Sequence, residues 1–295
     1  MAAGASATWS AEALPKTLST MWIAPFGHLK MKSKNSNLIT LTKHIFFPAD
    51  FNLPSPELRG YQRLFSHLDQ KSFCAFFLND FMGTEASRSL WQGDKYTLQE
   101  AIQASAKSLT IDISFFNPDT RIPKALVHQS RFSDLLVISP LDAEAMQKLP
   151  GAFPDKFFEQ SGCSVLLCPE LEMGFEEVLV LFDYDLSCVN ALKSFLNVFG
   201  RMASHKRITL LTVTPGEGTE IALEKYFVNF LQRTFSNVGI TPIRRAGLMD
   251  LVFAQVKQAK RPPVLITGRH GLNILYNQSF KEQMLALDMS LFFSN

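Results

Sequence analysis

EVLVLFDYDLSCVNALKSFLNVF (177–199) decides the fold. The unbroken apolar run VLVLF reads as a strand buried on both faces, because a half-exposed strand would alternate with polar residues. After Asp183 the period changes: Val189, Leu192, Phe195, Leu196 and Phe199 fall on one helical stripe, with Ser187 as the candidate N-cap. A buried strand followed at once by an amphipathic helix is the opening of a βαβ unit, and parallel strands joined this way make a sheet with helices on both faces.

Working outward, the same alternation runs through the chain. Candidate strands are HIFFPA (44–49), SFCAFFLN (72–79), SLTIDISFF (108–116), DLLVIS (134–139) and SVLLC (164–168), then EVLVLF (177–182), RITLLTVT (207–214), GITPIRR (239–245), PVLITG (263–268) and MSLFFS (289–294). SPELRGYQRLFSHL (55–68), with Ser55 and Pro56 at its start, follows the first strand as 186–199 follows the sixth.

Ten strands in this order read as two copies of one plan. Asp50 and Asp183 close the first strand of each copy and lie 133 residues apart; Ala75 and Leu210 lie 135 apart, Ser139 and Gly268 129, and Val165 and Leu291 126. A constant order with a slowly drifting offset is what a tandem duplication with loop insertions leaves behind. The expected architecture is α/β: two tandem doubly wound, Rossmann-like sheets of five mostly parallel strands. The expected domains are 40–170 and 175–295, joined across CPELEMGFEE (168–177), after an N-terminal extension, 1–39, expected to be poorly ordered.

Composition narrows the class. The chain has 295 residues, 46% hydrophobic and 19% charged, which suits a folded globular protein. Its 29 Lys and Arg against 27 Asp and Glu leave a formal charge of +2, too small to favour nucleic acid as a partner. No run reaches the ~20 apolar residues of a membrane span, and the N-terminus lacks the pattern of a secretory signal. Cys74, Cys163, Cys168 and Cys188 form no CxxC pair and sit in or beside apolar stretches, so reduced thiols in a cytoplasmic protein are expected, with no metal site.

Ligands of doubly wound sheets bind beyond the carboxyl ends of the strands. Asp183 stands there, either to accept a hydrogen bond from an adenine or ribose or to cap the next helix; Asp50 has the same two readings. VLITGRHGLNILYNQSF (264–280) follows the ninth strand, and Gly268 and Gly271 would let backbone N–H groups turn towards a phosphate, with Arg269 and His270 as added donors and a helix start near Ser279. A plain strand-to-loop turn is the competing reading. The matching loop of the first copy, SPLDAEAMQKLPGAF (139–153), has Ser139 and Pro140 for Gly and carries Asp142 and Glu144, which oppose phosphate. His28, His44, His67, His128 and His205 are scattered, and neither a nucleophile elbow nor a P-loop is present, so no catalytic constellation is visible.

VLVLFDYDLSCVNAL (178–192), IFFPADFNLPSPEL (45–58), FSDLLVIS (132–139) with GCSVLLCP (162–169), and RRAGLMDLVFAQVKQA (244–259) together resemble the universal stress proteins in tandem form, over roughly residues 42–295. The resemblance implies an ATP site built from G-x-x-G, nine residues, then G-[ST]. Gly268 and Gly271 match its first glycines, and Ser279 its last residue, but only six residues, Leu272 to Asn277, intervene and Gln278 replaces the third glycine. Asp183 matches the adenine-side Asp, and Val213 the residue whose backbone meets the base. It also implies pairing of the two fifth strands, 164–168 and 289–294, as the internal pseudo-dimer.

Two functions follow as expectations. One is a non-enzymatic stress-response or signalling module that works through an unknown protein partner or self-association, with nucleotide binding weak or lost. The other is an ATP-binding universal stress protein using Asp183, Val213, Gly268, Arg269, His270, Gly271 and Ser279. Neither requires a membrane, nucleic acid or metal.

Overall fold

The computed structural model describes residues 42–49, 71–81, 95–108, 110–117, 124–147, 157–158, 160–169, 175–213, 221–244, 247–259 and 263–294. All lie in the compact unit Thr40–Asn295. Asp50, the helix expected over 55–68 and the extension 1–39 lie outside the described residues.

The first copy supplies β1 (Lys43–Pro48), β2 (Lys71–Phe76), α1 (Lys95–Ser108), β3 (Asp112–Phe115), α2 (Lys124–Ser130), β4 (Leu135–Ile138), α3 (Pro140–Gln147) and β5 (Ser164–Leu167). The second supplies β6 (Glu177–Phe182), α4 (Leu186–Ala203), β7 (Arg207–Val213), α5 (Ile221–Thr234), β8 (Val238–Ile243), α6 (Leu248–Gln258), β9 (Val264–Thr267), α7 (His270–Tyr276), α8 (Gln278–Ala286) and β10 (Ser290–Phe293). Each of the ten expected strands is present. The third is shorter than its apolar run: Ser108 still belongs to α1, and Thr110 takes a positive φ of 55° before the strand begins at Asp112.

The strands form one sheet in the order β3-β2-β1-β4-β5-β10-β9-β6-β7-β8. Read from either edge inwards, the second copy repeats the first. Pairs within each copy are parallel, and the copies meet where β5 and β10 pair antiparallel, Leu291 opposite Leu167 and Phe293 opposite Val165. That junction joins the two strands expected at the contact, and it leaves neither as an open edge.

Side chains alternate across the strands, so the buried residues divide into two layers. Ile45, Phe47, Val178, Val180 and Phe182 face one layer, covered by α1, α4 and α5; Phe46, Leu179, Leu181 and Leu265 face the other, covered by α2, α3, α6, α7 and α8. Helices on both faces are what the buried, non-alternating strands required. At the junction Phe292 of β10 meets Phe195 of α4 edge-on, with ring centroids 5.2 Å apart. Burial of each such ring contributes about 2–3 kcal/mol. Among the described residues no helix is long and apolar enough to cross a membrane.

Candidate functional site

The turn after β6 positions the first site residue. Tyr184 takes a left-handed backbone conformation, φ 68°, unusual for a residue with a side chain. Its ring packs on Phe182 and its hydroxyl donates to Glu224 Oε2 at 2.6 Å, anchoring the turn to α5. Burial together with the hydrogen bond and charge of Glu224 pushes the phenol up to about 12, so Tyr184 stays a donor.

Asp185 caps α4: its side chain accepts from the Ser187 amide at 2.7 Å. That bond holds the Asp185 carboxyl below its ordinary value, and Arg269 and His270 add to the shift. The cap expected at Ser187 is therefore two residues earlier. A carboxylate at a helix start gains from the macrodipole as well as from the amide. With the cap supplied, Asp183 is left to face the strand ends. Its Oδ1 accepts from the Asp185 amide at 3.3 Å, and its Oδ2 lies 2.5 Å from His270 Nε2.

The segment after β9 is helical where a loop was expected. Arg269 already has helical angles, φ −53° and ψ −28°, and α7 begins at His270. The helix ends at Asn277, which turns extended and caps α8 by accepting from the Phe280 amide at 3.1 Å. The helix start expected near Ser279 is thus real, but another short helix stands between it and the strand.

Both glycines of this segment serve packing. A Cβ on Gly268 would come 2.6 Å from the Cys188 backbone nitrogen and collide with Ser187, and one on Gly271 would come 2.5 Å from Phe293 Cβ. The Gly268 contact lies between β9 and β6, where the strand order reverses and doubly wound sheets usually admit a ligand. Two amides that would face a phosphate are taken: Arg269 N donates to Ser187 Oγ at 3.1 Å and Gly271 N to the Gly268 carbonyl at 2.9 Å.

Beside this closed crevice lies a cavity of about 420 Å³. Leu181 and Asp183 at the end of β6, Val213 at the end of β7, Leu248 and Met249 of α6, and His270, Asn273, Ile274, Asn277 and Phe280 line it. The structure therefore brings together Asp183, Val213 and His270. It leaves Gly268, Arg269, Gly271 and Ser279 off the lining; Arg269 and Ser279 are exposed. Gln278, in the third-glycine position, is the first residue of α8, exposed and bonded to Glu282 at 3.2 Å.

Sequence reasoning missed the α6 and α7 walls. His270, Asn273, Ile274 and Asn277 stand at i, i+3, i+4 and i+7, a helical face that a loop reading of Gly-Arg-His-Gly concealed.

In the first copy the segment after β4 is also a helix, α3. Ser139 caps it and Pro140 opens it, a helix-start signature that the expected loop reading passed over. Asp142, wholly buried, accepts from the Ser139 amide at 3.1 Å and its hydroxyl at 2.6 Å, while its own amide donates to Ser139 Oγ at 3.0 Å. The acid read as opposing phosphate is thus committed to a reciprocal cap. No group of acidic, His and Cys side chains suited to a metal occurs among the described residues.

No protein-family model and no curated protein matches the sequence. Solved structures do share the fold. A universal stress protein from Archaeoglobus fulgidus aligns over 85% of this chain and 96% of its own, at 11% identity and a TM-score of 0.56. Two Pseudomonas aeruginosa structures, a functionally unknown protein and a putative universal stress protein, align over 85% of this chain and 92% of theirs, at 12% and 13% identity and TM-scores of 0.49 and 0.48. The fold assignment stands on the Archaeoglobus protein and on the strand order. With that order laid down twice in a single sheet, the chain has the fold of the universal stress proteins in tandem form.

Proposed function

We propose that this protein is a non-enzymatic stress-response and signalling module of the universal-stress-protein fold, acting by binding, in which the nucleoside triphosphate site has been lost. One observation carries the reading: the amides of Arg269 and Gly271 are bonded within the protein, and Gly268 closes on the start of α4, so the loop that would cradle phosphates is occupied by the protein itself. Phosphate needs such free amides at a helix start or nest. A protein partner or a second copy, in the cytoplasm, completes this reading.

The alternative, an adenine nucleotide held by the second copy, is favoured by the placement of Asp183 and Val213 on one cavity. Thermal unfolding of the full chain with and without millimolar Mg-ATP separates the two. A ligand at 100 times its dissociation constant adds about 2.7 kcal/mol, which for a unit of this size raises the midpoint by roughly 5–10 °C. We expect no rise; a rise of that size refutes the proposal.

A further inference from the structure

The cavity beside the closed crevice has an electrostatic character of its own. Six of its lining residues are apolar and two are neutral amides, Asn273 and Asn277; Asp183 and His270 alone are ionisable. Asp183 is the more enclosed, its side chain 14% exposed against 53% for His270. A carboxylate at the edge of an apolar cavity favours an arriving positive charge and opposes a negative one.

Its bonding leaves room for such a charge. A carboxylate offers about four acceptor sites, and the contacts described above engage one oxygen through a long bond to the Asp185 amide and the other through His270. His270 is the first residue of α7, and more than half of its side chain is in water, so it can leave Asp183 without being desolvated or stranded. Asn277 commits its oxygen to the α8 cap, whereas Asn273, exposed on α7, stands on the same helical face as His270.

We propose that this cavity binds a small organic cation, a protonated amine on an apolar body of one or two rings, with Asp183 as counter-ion and His270 as the side chain it displaces. The ammonium donates to Asp183, and the body lies against Leu181, Val213, Met249, Ile274 and Phe280. A volume of about 420 Å³ suits a ligand of that size. The inference rests on the reading that the triphosphate cradle is closed, since an open cradle would admit an anion at the same rim.

Calorimetric titration of the full chain at low salt tests it with four probes: phenethylamine, its neutral counterpart 2-phenylethanol, the anion phenylacetate, and adenosine. The amine is expected to bind roughly ten- to a hundred-fold more tightly than the alcohol, the range of one charge-assisted hydrogen bond, and the anion not at all. Asp183→Asn, which keeps an acceptor for the Asp185 amide, should bring the amine down to the level of the alcohol and leave the alcohol unchanged. His270→Ala should leave the amine as tight or tighter. Equal binding of amine and alcohol, no binding of the amine, tighter binding of adenosine, or an amine affinity indifferent to Asp183→Asn would each overturn the proposal. Mg-ATP added to the same series keeps the two readings apart: if it binds, the closed cradle is wrong, whereas an amine failure without ATP binding sinks the cation alone.

Discussion

The two copies part company at the end of their fourth strands. After β4 the chain enters α3 through Ser139 and Pro140, and the wholly buried Asp142 binds the Ser139 amide and hydroxyl. After β9 the chain presses Gly268 against the first turn of α4, enters α7, breaks at Asn277 and re-enters α8, leaving a cavity against Asp183. Both copies keep the strands and their order, and both have helix where a loop was expected. They do so by different means: the first spends a buried acid on its own cap, and the second uses a glycine to let two chain segments touch. A duplicated fold can thus hold its sheet while each strand end becomes private, because the sheet depends on many apolar contacts and a strand end on a few polar ones.

Three substitutions probe this contrast. The largest effect is expected from Gly268→Ser, which puts the residue of the first copy into the second. Its Cβ would stand 2.6 Å from a backbone nitrogen that cannot rotate away, so the cost should be about 3 kcal/mol. Urea unfolding should show this, with a thermal midpoint lower by roughly 6–12 °C; a change below about 0.5 kcal/mol would mean that Gly268 does not seal the crevice. Next, Asp142→Ala strips the buried Ser139 amide and hydroxyl of their acceptor and should cost about 2 kcal/mol. A neutral result there would show that the first copy is not held by its cap.

The smallest effect is expected at Asp185. Asp185→Ala removes the α4 cap and should cost about 1 kcal/mol at neutral pH. The folded carboxyl titrates below its ordinary 3.8, chiefly through the Ser187 amide, so the charged cap contributes fully above that value and its contribution is lost as pH falls through the lower, folded value. The gap between wild type and variant should therefore narrow as pH falls below 3.8, and modestly, since the group is only partly buried and solvent screens its charge. A gap that is flat with pH would assign the stabilisation to the side chain's shape.

Much of the fold was legible because hydrophobic period is a local property. Runs such as VLVLF and DLLVIS announce strands buried on both faces, and the recurrence of their order announces the duplication. The offset of 126 between Val165 and Leu291 marked the fifth strands as equivalents, and the resemblance to the universal stress proteins implied that they pair, as they do with Phe293 opposite Val165. The candidate site was legible only in part. Asp183, Val213 and His270 share a cavity, whereas Gly268 and Gly271, which look from their spacing like a phosphate loop, contact Ser187 and Phe293. A glycine is chosen for a close approach, and sequence does not say whether a ligand or the protein makes it.

The sequence by itself determined the ten strands and the helix that follows β6, since each follows from residues within one turn or one strand of each other, and it determined their division into two copies, since the order of those local patterns recurs. Only the tertiary structure decided the fate of the strand ends. Arg269 meets Ser187 across 82 residues, and His270 meets Asp183 from another element of the sheet. Such contacts depend on how crossovers bring distant turns together at the carboxyl edge, and no local pattern of charge or hydropathy records that.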